Sequence, residues 1–160
     1  MKNFGSTLNI KQLQQHLIRT ITELNRKPFC FEEITIPTIP NSEVIFEFGL
    51  ADGKYFNFLN IQEAKCACDT VIKYRQVSVL DFFCVIRYYR CNVQKRIALK
   101  FDYYMLRVNF AAKRAEFRVF HKQGLRYINP EDLVMMIVNK INKLAVKPVL
   151  DENVQELSEF

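Results

Sequence analysis

Glycine is scarce in this chain: Gly5, Gly49, Gly53 and Gly124 are the only four in 160 residues. No two stand close enough to build a phosphate-cradling loop, which excludes nucleotide binding through a P-loop or a Rossmann turn. Histidine is scarcer still. His16 lies among Gln12, Gln15 and Arg19 on the solvated side of an expected helix, and His121 ends an expected strand. Neither has a neighbouring acid in sequence with which to form a triad or a metal site, and there is no Gly-x-Ser-x-Gly elbow. Long apolar runs are missing too: no stretch approaches the roughly 20 residues of a bilayer span, and the first residues, MKNFGSTLN, lack the apolar core of a signal peptide. The expectation is an intracellular protein, cytoplasmic or in the nucleus or nucleoid, with no membrane partner.

Five cysteines make an odd count, and Cys30, Cys66, Cys68, Cys84 and Cys91 all fall in apolar periodic segments. Reduced core thiols fit that placement best. On a helix Cys66 and Cys68 point about 200° apart. The spacing of a tetrahedral zinc site is absent, so neither a metal nor a cofactor is expected.

What is present suits one folded domain. With 49% hydrophobic and 25% charged residues, a chain of 160 buries enough surface to dispense with staples. The domain is expected to run from 1 to 148, where Pro148 ends it, followed by an acidic tail from 149 to 160. In that tail Leu150, Val154 and Leu157 share one helical face.

Three helices carry the same start signal, an Asn followed three residues later by a side chain able to reach back to the first amides. The pairs are Asn9 with Gln12, Asn60 with Glu63, and Asn129 with Asp132. Ile10, Leu13, Leu17, Ile21 and Leu24 form the first apolar stripe, and Ile61, Ala64, Cys68, Val71 and Ile72 the second. Pro130 opens the third, which continues through Leu133, Met136, Ile137, Ile141 and Leu144. Strands are expected at 29–36, 43–50 and 55–59, the last two joined through Asp52-Gly53, and again at 77–90, 96–110 and 115–122. The strands at 77–90 and 96–110 are long enough to require bends or bulges. The order α-βββ-α-βββ-α reads as an α+β fold, a curved antiparallel sheet with helices on one face, and suggests an αβββ unit used twice.

Charge is unevenly spread. Lys73 to Arg126 holds thirteen Lys or Arg residues against Asp81, Asp102 and Glu116, interleaved with eleven Tyr and Phe. Strand alternation predicts which of these share a face. After Arg96, the residues Ile97, Leu99, Phe101, Tyr103 and Met105 form the expected buried set, opposite Arg96, Lys100, Asp102 and Tyr104. In the strand before it, Asp81, Phe83, Arg87 and Tyr89 oppose Leu80, Phe82, Cys84, Ile86 and Tyr88; in the strand after it, Glu116, Arg118, Phe120 and Lys122 share a phase. The open face is therefore expected to carry Arg87, Arg96, Lys100, Arg118 and Lys122 with Tyr89 and Tyr104, rimmed by Arg90, Lys95, Lys113 and Arg114.

Cations with exposed rings suit single-stranded DNA or RNA, in which phosphates meet charge and bases stack on aromatics. A non-enzymatic nucleic-acid-binding module is the first expectation. The alternative is a small subunit or adaptor of a protein assembly, with Tyr74, Tyr89, Tyr104 and Tyr127 as anchors on the same face, and with room for a homo-oligomer. A third reading, a metal-dependent nuclease, needs Glu47, Asp81 and Asp102 to converge. The plainest reading is that the rings pack and the cations keep the sheet edges solvated.

Overall fold

A computed structural model of the chain describes residues 1–35, 41–52, 55–73, 77–91 and 96–152. Its elements are β1 (Lys2–Ser6), α1 (Ile10–Leu24), β2 (Pro28–Cys30), a 3₁₀ turn (Phe31–Glu33), β3 (Ser42–Asp52), β4 (Tyr55–Phe58), α2 (Ile61–Lys73), β5 (Val79–Cys91), β6 (Arg96–Ala111), β7 (Arg114–Gln123), α3 (Pro130–Leu144) and β8 (Leu150–Asp151). All eight strands join one antiparallel sheet in the order β2-β3-β5-β6-β7-β1-β8, with β4 on the same edge of β3 as β2. The sheet is curved and unclosed, and the helices pack on it, which is the α+β class expected.

Each helix starts where its Asn stands. Asn9 Oδ1 accepts from the Gln12 amide at 2.9 Å while Gln12 Oε1 accepts from the Asn9 amide at 3.3 Å, a complete capping box. Asn60 Oδ1 accepts from the Glu63 amide at 2.8 Å. Asn129 caps the Glu131 amide, one residue earlier than expected, and Asp132 turns instead to accept from the Thr35 hydroxyl at 2.6 Å. That bond ties α3 to the segment after the 3₁₀ turn.

The core lies between the helices and one phase of the sheet. From α1 it takes Leu13, Leu17, Ile18, Ile21 and Leu24; from α3, Leu133, Ile137 and Ile141; from the sheet, Val44, Phe46, Phe48, Phe82, Cys84, Ile86, Leu106, Val108 and Phe117. Each large apolar side chain so enclosed contributes roughly 1.5–3 kcal/mol. The stripe of α2 is narrower than expected: Ala64, Cys68 and Val71 are buried, whereas Ile61 and Ile72 are exposed.

Several expectations need correction. The strand placed at 29–36 stops at Cys30, where the Glu33 carboxylate accepts from the Cys30 amide at 2.8 Å and turns the chain into the 3₁₀ turn; Ile36 lies outside the described residues. β1 was not expected, because its single buried ring, Phe4, gives too little alternation to read. The sheet also takes the first residues of the supposed tail. Val149 and Leu150 are buried, Asn142 Oδ1 accepts from both of their amides at 2.9 Å, and β8 pairs with β1. Val154 and Leu157 lie outside the described residues. Cys30 and Cys66 are exposed, not core thiols, while Cys68 and Cys84 are buried.

β3 and β4 pair up to Asp52 and Tyr55, as a hairpin through Asp52-Gly53 requires, though Gly53 itself lies outside the described residues. The two strand trios differ in build. β5, β6 and β7 form a meander, whereas β2 and β4 both line the far edge of β3.

Candidate binding face

Pleating sends the alternate side chains of the same strands to the side away from the helices. Along β3 these are Glu43, Ile45 and Glu47; along β5, Asp81, Phe83, Val85, Arg87 and Tyr89; along β6, Phe101, Tyr103, Met105, Arg107 and Asn109; along β7, Glu116, Arg118 and Phe120. Every one of them keeps some solvent exposure, while the helix-side residues between them are buried except for the partly buried Val119 of β7. This face is aromatic. Phe56 of β4 meets Phe83 at 5.5 Å between ring centroids, Phe83 stacks on Tyr103 at 5.5 Å, and Tyr103 meets Phe101 edge-on at 5.2 Å. Met105 pairs across the strands with Phe120. These rings come from four strands, β4, β5, β6 and β7, with Phe56, Phe101 and Phe120 exposed by 43%, 42% and 50%.

The phase expected for β6 is reversed. Phe101, Tyr103 and Met105 belong to the open side, and Asp102 and Tyr104 are fully buried under the helices. Tyr104 therefore leaves the set of candidate binding residues; its hydroxyl donates to the Ile128 carbonyl at 2.5 Å. Two physical facts explain the reversal. Asp102 is made acceptable inside by four donors, and the β5–β6 register slips between Arg87 and Tyr89, leaving Leu99 and Lys100 together opposite Tyr88. Such a bulge changes which face the following residues occupy. A signal for the true phase existed downstream: Leu106, Val108 and Phe110 are apolar at even positions, against Arg107 and Asn109 at odd ones.

Charge on this face is largely cancelled. The Arg87 guanidinium lies 3.3 Å from Glu47, Arg107 grips Asp81 through two bonds of 2.7 and 2.9 Å, and Arg118 meets Glu116 at 2.5 Å. Exposed pairs of this kind add little stability, about 0–1 kcal/mol each, but they leave few cations on offer to phosphates. The other expected cations are scattered. Lys100 and Lys122 sit in the two bulges at one end of the sheet, and Lys113 and Arg114 sit at the β6–β7 turn, the opposite end. Arg90 shares the helix-side phase of Tyr88 and is exposed beyond the helices. Tyr89 is half-buried on the open face and Tyr127 half-buried against Tyr88 at 5.0 Å. Lys95 and Tyr74 lie outside the described residues, and of Arg96 only the backbone, in β6, is described. At the Lys100 end two cations sit near rings, Arg87 5.9 Å from Phe101 and Lys122 5.9 Å from Phe120.

Beneath the sheet, Asp102 receives the Tyr88 hydroxyl at 2.6 Å, His121 Nε2 at 2.9 Å, and the amides of Arg126 and Tyr127 at 2.7 and 3.0 Å. Burial pushes its carboxyl up, yet the hydrogen bonds outweigh burial and hold it below the usual carboxylate range. Desolvation and the same carboxylate push the Tyr88 hydroxyl far above its ordinary value. The acids of the nuclease reading do not converge: Asp102 faces the core, whereas Glu47 and Asp81 face the other way, each holding an arginine. No cluster of metal-ligating side chains occurs among the described residues. Burial raises the Cys84 thiol well above its ordinary value, which keeps it in the unreactive protonated form.

These features define a class by structure alone, a helix-backed antiparallel sheet with an uncovered aromatic face. No family model, curated protein or solved structure matches the chain. Among the described residues no helix is long and apolar enough to cross a membrane.

Proposed function

We propose that this protein is a non-enzymatic interaction module and that its uncovered sheet face docks a protein partner, making it a subunit or adaptor of an assembly. The observation that carries this reading is the ladder Phe56–Phe83–Tyr103–Phe101 with Phe120 and Met105 beside it, lying on the side that no helix among the described residues covers. Monomeric proteins rarely leave a contiguous apolar patch of this kind in water. Its composition is that of an interface centre, with Phe, Tyr, Met and Arg prominent and lysines confined to the rim. Because each arginine already has an acid beside it, docking does not strand a lone cation in a desolvated interface.

Nucleic acid is the second reading, favoured by one observation, the placement of Arg87 and Lys122 beside exposed rings at the end that also carries Lys100. Three phosphate contacts give a salt slope of only about −2 for a single strand, a weak electrostatic hold.

Purification of the tagged full chain from native extract, with nuclease treatment, separates the two. A stoichiometric protein partner, either a second copy or another chain, is expected to survive nuclease and to be lost in the Phe101→Asp/Phe120→Asp variant with its thermal midpoint unchanged. Retention of the partner by that variant contradicts the reading. Binding of a labelled single strand that collapses with salt, with no protein partner, moves the assignment to nucleic acid.

A further inference from the structure

The uncovered face is not electrically uniform, and its polarity identifies an occupant. On the β3 flank the charged side chains among the described residues are Glu43 and Glu47, with Arg26 at the outer edge over the Phe58 ring at 4.5 Å. On the β6–β7 flank they are Arg107, Arg118 and Lys122, with Glu116 as the one acid there among the described residues. Between the flanks, β5 carries one charge of each sign, Asp81 and Arg87, and the aromatic ladder runs through the middle.

We infer that the occupant of this face is a second copy of the same chain, two sheets stacking face to face about a two-fold axis that runs along the β5–β6 seam. The inference rests on the docking role proposed above and deepens it. An isologous contact requires a patch that is complementary to itself. Rotation about the seam lays β3 of one copy over β7 of the other, and β5 over β6. Cross-strand register then fixes the levels. Glu47 is level with Val85, Tyr103 and the Lys122 bulge, so Glu47 of each copy comes over Lys122 of the mate. Asp81 is level with Arg107, and Arg87 with Phe101, so the seam meets itself as ion pair and as cation on ring. A nucleic-acid strand finds no such match on the acidic flank.

The extent of the face agrees with the inference. Four strands spaced about 4.8 Å apart, each presenting about ten residues at about 3.4 Å, offer roughly 650 Å² in projection. With the relief of the side chains this reaches the roughly 800 Å² per partner of a stable complex. Aligned sheets pack about 10 Å apart with the interdigitated side chains between them, a gap that exposed Phe and Met residues fill.

Sedimentation equilibrium of the purified full chain tests this directly. The wild type is expected to sediment as a dimer. Glu47→Lys and Lys122→Glu, made singly, are each expected to weaken the dimer by tenfold or more, and the two together to restore it, with circular dichroism unchanged throughout. Phe101→Asp, which touches neither charge, is expected to give a folded monomer. A wild type that remains monomeric at every concentration overturns the inference, and so does a dimer that Phe101→Asp leaves intact or a double charge exchange that restores nothing. A monomeric wild type that still holds a different protein through Phe101 and Phe120 overturns the second copy alone and leaves the docking face standing. Salt-sensitive capture of a single strand by a monomer overturns both.

Discussion

At the scale of single residues, Asp102 is the most consequential position. One carboxylate collects donors from β5, from β7 and from the loop at residues 126 and 127, so it holds the α3 approach against the sheet. Gly124 shapes the same corner. Its φ of +106° suits glycine, and a side chain there would collide with Asp102 Oδ1 and the Phe101 carbonyl. Asp102→Asn keeps the volume but sets an amide N–H₂ against fixed donors, and the expected loss at neutral pH is roughly 3 kcal/mol. The sign of its pH dependence follows from the carboxyl being held low in the fold. The stabilisation is fully present above the unfolded value near 4 and is lost as pH falls toward the folded one. The gap between wild type and variant in urea melts is therefore expected to be widest above about pH 5 and to narrow in acid.

At the scale of elements, much of the fold is legible because local chemistry and global packing agree. Asn9, Asn60 and Asn129 mark helix starts, the alternation of Val44, Phe46 and Phe48 marks a half-buried strand, and the excess length of β5 and β6 implies the bulges that occur. The illegible parts depend on distant partners. β1 and β8 are strands only because β7 and β1 stand ready to pair with them, and a lone Phe4 or Leu150 cannot announce that. Asp102 reads as solvent-facing until its four donors are known, which is why alternation alone gives β6, and with it Tyr104 and Phe101, the opposite phase.

Asn25 is a further case. Standing just past α1, it closes the gap on the β3 edge between β2 and β4, accepting from the Phe48 amide at 2.6 Å and donating to the Phe48 and Leu59 carbonyls at 3.1 and 2.9 Å. Nothing in its sequence neighbourhood distinguishes it from an ordinary helix end. Asn25→Ala is expected to cost about 1–3 kcal/mol by leaving those groups without partners. Hydrogen exchange at the Phe48 amide is expected to accelerate, with exchange along β6 and β7 unchanged; equal acceleration everywhere would indicate global loosening instead.

At the scale of the whole molecule, the +6 net charge and the basic run from Lys73 to Arg126 describe the sequence better than any surface. Folding sends Arg87, Arg107 and Arg118 to acids, Arg90 to the other side, and Lys113 and Arg114 to the far end. What folding concentrates is the aromatic residues, drawn from β4, β5, β6 and β7 onto one uncovered side. An enclosed face of that kind excludes water, and an open one meets it. Hydroxyl-radical footprinting of the protein in its native assembly and after dissociation by dilution distinguishes the two most directly. Phe101, Met105 and Phe120 are expected to oxidise slowly in the assembly and several times faster once dispersed, while Phe82 and Tyr104 stay protected in both. Equal oxidation of Phe101, Met105 and Phe120 in the two states would contradict a docking role for this face.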